Sequence, residues 1–500
     1  MNVTYVNEWR CESVSPPCIF SRGILVKAGP TPRGVIRFRG ALKPNQSKTR
    51  MSAVNTPTVA AEMDPREAEF KELEALQEEM IAIIAKVCPN RPRPVDISVV
   101  EQEPIDPIRW PHRFRFDVSF KFSYDKHQAL VLKFPLKCRV HKDAMFDKVR
   151  GEVGGMSWAR SHSNLPIPKV RAFDPSGTSP LNPTRRPFIC MDHFPGKHIT
   201  NKEWERMSEI QKLHVTARVA MVTVLLSQHS FDKIGSLYPV DKKFNVDIGP
   251  LASCTLAWYT YRHGPDNKLS KLFKPSNSPY PTALEYLIDI TNKHLVHRAI
   301  VSPSKVSTDY VEMWIYRSLL PGLVLEQCNR GPFVLMHPTL DRWALLFDDN
   351  YELTGVINWD WSQIEPLQIA AINPPFLLNL PISPSSKEYE TLRTYYMESL
   401  AAYESEARGA GKQKSKVPPV LSQLAGEGYM LANTGAVAKM CEDNLSAYLW
   451  NTIFVPTFGQ IDRGTLFDLF AKAPSLLAEH QRTIEYLQAL QVSLPFGNSG

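Results

Sequence analysis

Hydrophobic and polar positions alternate most cleanly between Arg113 and Tyr124. Phe114, Phe116, Val118, Phe120, Phe122 and Tyr124 fall on one side; Arg113, Arg115, Asp117, Ser119, Lys121 and Ser123 fall on the other. A period of two predicts an antiparallel strand with one buried face and one solvated face. Tyr124 to His127 then reads as a turn, and Ala129 to Phe134, ALVLKF, as the returning strand. Upstream, Phe70, Leu73, Leu76, Met80, Ile84 and Val87 recur at helical spacing behind Asp64-Pro65, an N-cap followed by a first-turn proline. The pattern predicts one helix there, closed by Cys88-Pro89. Asp143 to about Ser161, containing Glu152, reads as a second helix. From Asn201, taken as an N-cap, Trp204, Met207, Ile210, Leu213, Ala217, Ala220 and Val224 mark an amphipathic and then largely buried helix. Helical patterns follow over Tyr280 to Arg298, Glu388 to Ala407, and about Pro419 to Val492. The basic stretch Arg408 to Val417 reads as a solvated break.

The stretch Gly331 to Leu367, GPFVLMHPTLDRWALLFDDNYELTGVINWDWSQIEPL, differs from these. Val334-Leu335-Met336 runs into His337, and a loop follows from Pro338 to Arg342. A strand, Trp343 to Phe347, ends in the turn Asp348-Asp349-Asn350-Tyr351. A second strand, Leu353 to Ile357, delivers Asn358-Trp359-Asp360. Apolar runs broken by turn residues predict a hairpin, and this one carries His, Asp and Asn at both of its ends.

These residues resemble the catalytic loop and metal-binding strand of aminoglycoside-phosphotransferase-like kinases, especially their large fungal branch. That family reads H-G-D-L-H-x-x-N, then strand, turn, strand and I-D-W-E. Pro166-Ile167-Pro168-Lys169-Val170 is similar to the family's "iPvPkV", and Phe231 to Tyr238 to its "F..iGsly" segment. The resemblance covers roughly residues 110 to 380. It implies an α+β, two-lobed protein-kinase-like fold: a small antiparallel-sheet N-lobe over residues 64–195 and a large, mainly helical C-lobe over 196–500 with a helical C-terminal extension. Residues 1–63 are read as a disordered leader or a transit peptide. The resemblance also implies that Lys133 pairs with ATP phosphates, that Glu152 fixes it, and that Phe188 to Met191 leads into the hinge, left at Phe194-Pro195-Gly196.

The frame is kept while the functional groups change. His337 matches the family's His. Thr339 stands where the family has the Asp that orients or deprotonates the acceptor, Ala344 where it has a metal-binding Asn, and Asn358 where it has a metal-binding Asp. Thr339 accepts no proton at neutral pH, Ala344 offers no ligand, and Asn358 brings no charge to an ion that prefers carboxylate and phosphate oxygens. Two acids offer a rescue: Asp341 in the same loop, and Asp360, which shares a face with Asn358 if the backbone stays extended. The plainer reading makes both solvent-exposed or loop-capping carboxylates, and His337 a structural hydrogen-bonding residue. Likewise Lys133 reads otherwise as a lysine snorkelling at a sheet edge and Glu152 as part of a solvated helix face. No glycine lies between Gly40 and Gly151, so a phosphate-covering loop there has bulky side chains throughout.

Two functions remain open. One is a catalytically impaired, pseudokinase-like protein that binds a small molecule or a protein partner in the old cleft. The other is an ATP-dependent phosphotransferase acting on a small-molecule hydroxyl or amine, with ATP and magnesium as cofactors; the impaired protein needs neither. Composition narrows the setting. The chain is 43% apolar and 22% charged, ordinary for folded domains, and its net charge of +7 over 500 residues gives no argument for nucleic acid. Eight cysteines scattered without a CxxC pair indicate neither zinc nor a disulfide framework, and fit an intracellular compartment. No apolar run reaches membrane-spanning length. The first fifty residues hold six Arg and three Lys against Glu8 and Glu12, as a mitochondrial transit peptide does, but Pro16, Pro17, Pro30 and Pro32 break the helix such a peptide needs. Cytoplasmic and mitochondrial locations both stay open, and secretion is not expected.

Overall fold

The alternating segment forms β2, Asp117–Ser123, which pairs antiparallel with β1, Asp96–Val99, on one side and with β3, Leu130–Pro135, on the other in a computed structural model of the chain. It describes residues 65–100, 116–138, 140–241, 243–262, 271–274, 276–338, 340–371, 386–410, 421–427, 449–459 and 462–490. The chain divides into two units, Met1–Ala61 and Glu62–Gly500. The expected leader, the Asp64 cap, Arg113 to Arg115, Thr339 and most of the basic break lie outside the described residues.

With β4, Val170–Asp174, and β5, Phe188–Asp192, the first strands make a five-stranded antiparallel sheet in the order β1-β2-β3-β5-β4. Phe120, Phe122, Leu130, Leu132, Phe134 and Phe188 build a core with Leu73, Met80, Ile83 and Ile84. Those last four come from two helices, α1 (Pro65–Glu74) and α2 (Gln77–Val87), not from the single helix that the spacing predicts. The break falls at Ala75-Leu76, and the apolar stripe continues across it because both helices face the same sheet.

The other face of the sheet is covered too, which the alternation did not reveal. Helix α3, Lys142–His162, lies beyond it, and Asp117 and Ser119, on the strand's polar side, are buried. The expectation of a solvated face is therefore corrected at this end of β2. From β5 the chain crosses to the larger, mostly helical part. Lys197 exchanges two backbone hydrogen bonds of 2.9 Å with Phe347, and Thr354 Oγ1 donates to the Pro195 carbonyl at 2.9 Å. The crossing is thus seamed onto the hairpin of the larger part. Helix α4, Asn201–Arg206, is capped by Thr200 rather than Asn201, through a reciprocal bond pair with Glu203. A second box, Ser208 with Gln211, restarts the chain as α5, Glu209–Ser227. The expected single helix is two because each box supplies its own start.

Three short pairings follow: β6 (Ser230–Phe231) with β9 (Phe333–Met336), β7 (Ser236–Pro239) with β8 (Val246–Gly249), and β10 (Leu345–Phe347) with β11 (Leu353–Val356). The last pair is the predicted hairpin. Strand β12, Gln363–Pro366, which the pattern did not reveal, pairs with β9. Around them stand α6 (Cys254–Arg262), α7 (Ala283–Val301), α8 (Thr308–Leu323) and α9 (Lys387–Ala410). A small sheet with helices on both faces and a larger helical part is the two-lobed α+β arrangement that the sequence implied. No helix among the described residues is long and apolar enough to cross a membrane.

Candidate functional site

Strand β3 is buried along its whole length, so Lys133 cannot snorkel. Its ammonium lies 2.6 Å from Glu152, 2.7 Å from Asp360 and 3.2 Å from Asp117. An ammonium has three N–H groups, and here three carboxylates face them. Glu152 comes from α3. One turn earlier on the same helix, Lys148 is fully buried and lies 2.8 Å from each oxygen of Asp117 and 3.5 Å from Glu152; it also bonds Asp360. The Lys133–Glu152 pair is as the sequence implied. Asp117 and Lys148 were missed. The i, i+4 spacing of Lys148 and Glu152 was a usable signal, because a salt bridge on a covered helix face needs a further countercharge.

Asp360 reaches this cluster from the larger part of the molecule. The route is a tight turn rather than an extended strand: β11 ends at Val356, and Asn358 and Trp361 both sit at φ +61°. That left-handed backbone suits Asn and is strained for Trp. Trp361 is held by an edge-on contact with Phe116 at 5.5 Å and lies 5.7 Å from the Lys148 ammonium. The shared face expected for Asn358 and Asp360 is absent for this reason. Asn358 is exposed and donates its amide to the Trp343 carbonyl at 2.8 Å, while Asp360 turns inward. The reading of Asp360 as a solvent-exposed or loop-capping acid is thereby corrected.

The other candidates sit apart from the cluster or on its margin. Asp341 is a loop cap: its carboxylate accepts from the backbone N–H groups of Trp343 at 2.8 Å and Ala344 at 3.2 Å. His337 is buried against the Trp359 ring at 4.8 Å, with Nε2 2.8 Å from the Ile357 carbonyl. It ties β9 to the end of β11, the structural role named as its plainer reading. Ala344 is fully buried.

Electrostatics follow from the count of three carboxylates and two ammonium groups, all buried except for the partly exposed Asp360. Burial opposes charge on Lys133, yet Asp117, Asp360 and Glu152 hold its pKa well above the usual lysine value; Lys148 is raised for the same reasons. Burial would also raise Asp360, but the two ammonium groups reverse this and hold it well below the carboxylate range. One negative charge is then in surplus. Burial, followed by the charge of Asp360, pushes Glu152 up to about 8 and Asp117 up to about 6, so the cluster retains a proton near neutrality.

A pH dependence follows. A carboxyl with a raised folded pKa keeps a proton that the unfolded chain has released, so its contribution to stability is complete below the unfolded value and lost as pH climbs through the folded one. His193, His198 and His480, lowered chiefly by burial, act in the opposite sense, but only below their unfolded value near 6.5. Thermal midpoints are therefore expected to fall between about pH 7 and 9, and Glu152→Gln is expected to flatten that decline. Midpoints that rise over the same interval would contradict the assignment.

Magnesium, which the resemblance implies, can be tested against these residues. One oxygen from each of Asp117, Glu152 and Asp360 lies within 4.8 Å of the others, and oxygen is the right donor. But these oxygens already hold the two lysines, and an added divalent ion would meet both ammonium groups at contact distance. As arranged, the residues do not fit a resident magnesium ion.

No protein-family model matches the chain. Among curated proteins it is 23% identical over 323 residues to the clavilactone A biosynthesis cluster protein Y of Ampulloclitocybe clavipes, covering 61% of this chain and 70% of that one. It is 32% identical over 134 residues to the altered inheritance of mitochondria protein 9 of Meyerozyma guilliermondii, covering 25% of this chain and 20% of that one. Among solved structures it is similar to the GDP complex of aminoglycoside 2'-phosphotransferase-IIIa, at 11% identity and a TM-score of 0.37, over 83% of this chain and 99% of that one.

Proposed function

We propose that this is an aminoglycoside-phosphotransferase-like protein that has lost ordinary phosphoryl transfer and binds a small molecule or a partner through the former cleft. The observation that carries this reading is the position of Asp341. It is the one acid between Gly331 and Phe347, and its Oδ1 is turned back onto the loop, accepting from both the Trp343 and the Ala344 amides. A base must reach the acceptor proton directly or through one water, and a carboxylate capping its own loop does not. One further feature agrees: Lys133 has all its donors directed at carboxylates. The similarity to a protein of the clavilactone A biosynthesis cluster supports a small-molecule ligand.

The test pairs turnover with binding. Purified protein is expected to hydrolyse or transfer no phosphate from ATP above background, and millimolar ATP with magnesium is expected not to shift its melting temperature. Metal-dependent turnover would favour the active phosphotransferase instead, with Asp360 rotating out of the cluster toward the 19% of its side chain that solvent reaches. Asp341→Ala separates the two readings by mutation. As a loop cap, Asp341 is worth about 1–3 kcal/mol of stability, and background turnover stays where it was. As a base, its loss would lower a measurable rate by roughly 10² to 10⁴.

A further inference from the structure

We propose that Lys148 is a built-in cation that takes the place of a divalent metal among Asp117, Glu152 and Asp360, so that the convergence of these three carboxylates is independent of metal. The three carboxylates converge as ion ligands do, with one oxygen of each within 4.8 Å. They come from three separate elements, β2, α3 and the turn after β11. Lys148 has no solvent exposure and touches all three, holding both oxygens of Asp117 at 2.8 Å. Lys133 alone would leave two negative charges uncompensated in a buried site. That surplus is what a divalent cation satisfies, whereas a second lysine leaves only one charge, which a shared proton can neutralise. The inference does not require the cleft to be inert: it stands whether or not phosphate is transferred, and its test reads metal rather than turnover.

Lys148→Met removes the ammonium while keeping an unbranched side chain under Trp361. In the unaltered protein, millimolar magnesium or manganese is expected to leave the melting temperature unchanged, and EDTA to have no effect. In Lys148→Met, the same ions are expected to raise it by about 4 °C or more, and Asp360→Asn on that background is expected to abolish the rise. If Lys148→Met does not fold in EDTA, its recovery on refolding with manganese but not without it reads the same result. Two outcomes overturn the inference. One is manganese taken up by the unaltered protein, seen as loss of the free-ion EPR signal that Asp360→Asn restores. The other is a Lys148→Met protein, folded or unfolded, that does not respond to either ion.

Discussion

Lys133→Met should lower the unfolding free energy by about 3–5 kcal/mol, the usual cost of removing one partner from a buried ion pair. The substitution preserves much of the side-chain volume, so packing contributes little. What it leaves is Lys148 as the one ammonium for Asp117, Glu152 and Asp360, all in contact with it. Asp117 and Glu152 can respond by holding protons, which sets the lower end of the range. Denaturant midpoints measure the effect, with Lys202→Met at an exposed helix position as a control expected to stay within about 0.5 kcal/mol. The double variant Lys133→Met/Asp360→Leu removes one charge of each sign. It should therefore cost clearly less than the sum of the two single variants. Additive costs, or a Lys133→Met loss below about 1 kcal/mol, would mean that the cluster behaves as solvated surface pairs.

The parts of this site legible in the sequence are those that local pattern controls. Lys133 is placed by the family resemblance on the apolar return strand ALVLKF, and Glu152 by the same resemblance on a helix in register with the "PIPKV" segment. His337 and the hairpin were placed by the order of apolar runs and turns. Pattern identifies a face but not what covers it. Asp117 lay on the polar side of β2, and nothing in a period of two distinguishes a side facing water from a side facing α3 and its lysine. Asp360 was read through an extended backbone, and the two left-handed residues at 358 and 361 that turn it inward leave no mark in hydrophobic periodicity. Asp341 was legible as a candidate because it is an acid in the right loop. Its use as a cap depends on how the loop closes, which is local geometry below the resolution of residue type.

The convergence of the site also rests on glycines that carry no chemistry, and here the second large effect is expected. Gly154→Ala should destabilise the protein by about 3 kcal/mol or more, at the upper end of overpacking, although alanine for glycine inside a helix ordinarily stabilises by about 1 kcal/mol. A methyl group on Gly154 would stand 1.9 Å from the Leu237 carbonyl oxygen and 2.5 Å from its carbon. Both are backbone atoms of β7, which is buried throughout, so no side-chain rotation can make room and helix and strand must separate. Gly151, one turn earlier, is the internal comparison: its added methyl would meet nothing nearer than the Ser236 Cβ at 3.5 Å, an ordinary contact. Gly151→Ala should therefore be neutral or slightly stabilising. The same displacement should reach the charge cluster, because Ser362 Oγ, 3.3 Å from the Gly151 carbonyl, ties α3 to the turn that carries Asp360. In Gly154→Ala, then, the fall of the melting temperature between about pH 7 and 9 should weaken together with overall stability, as Glu152 gains access to water and its pKa returns toward the ordinary value. A Gly154→Ala protein as stable as Gly151→Ala would show that α3 does not sit this close to β7, and the geometry that brings Lys148 and Glu152 to Asp360 would fall with it.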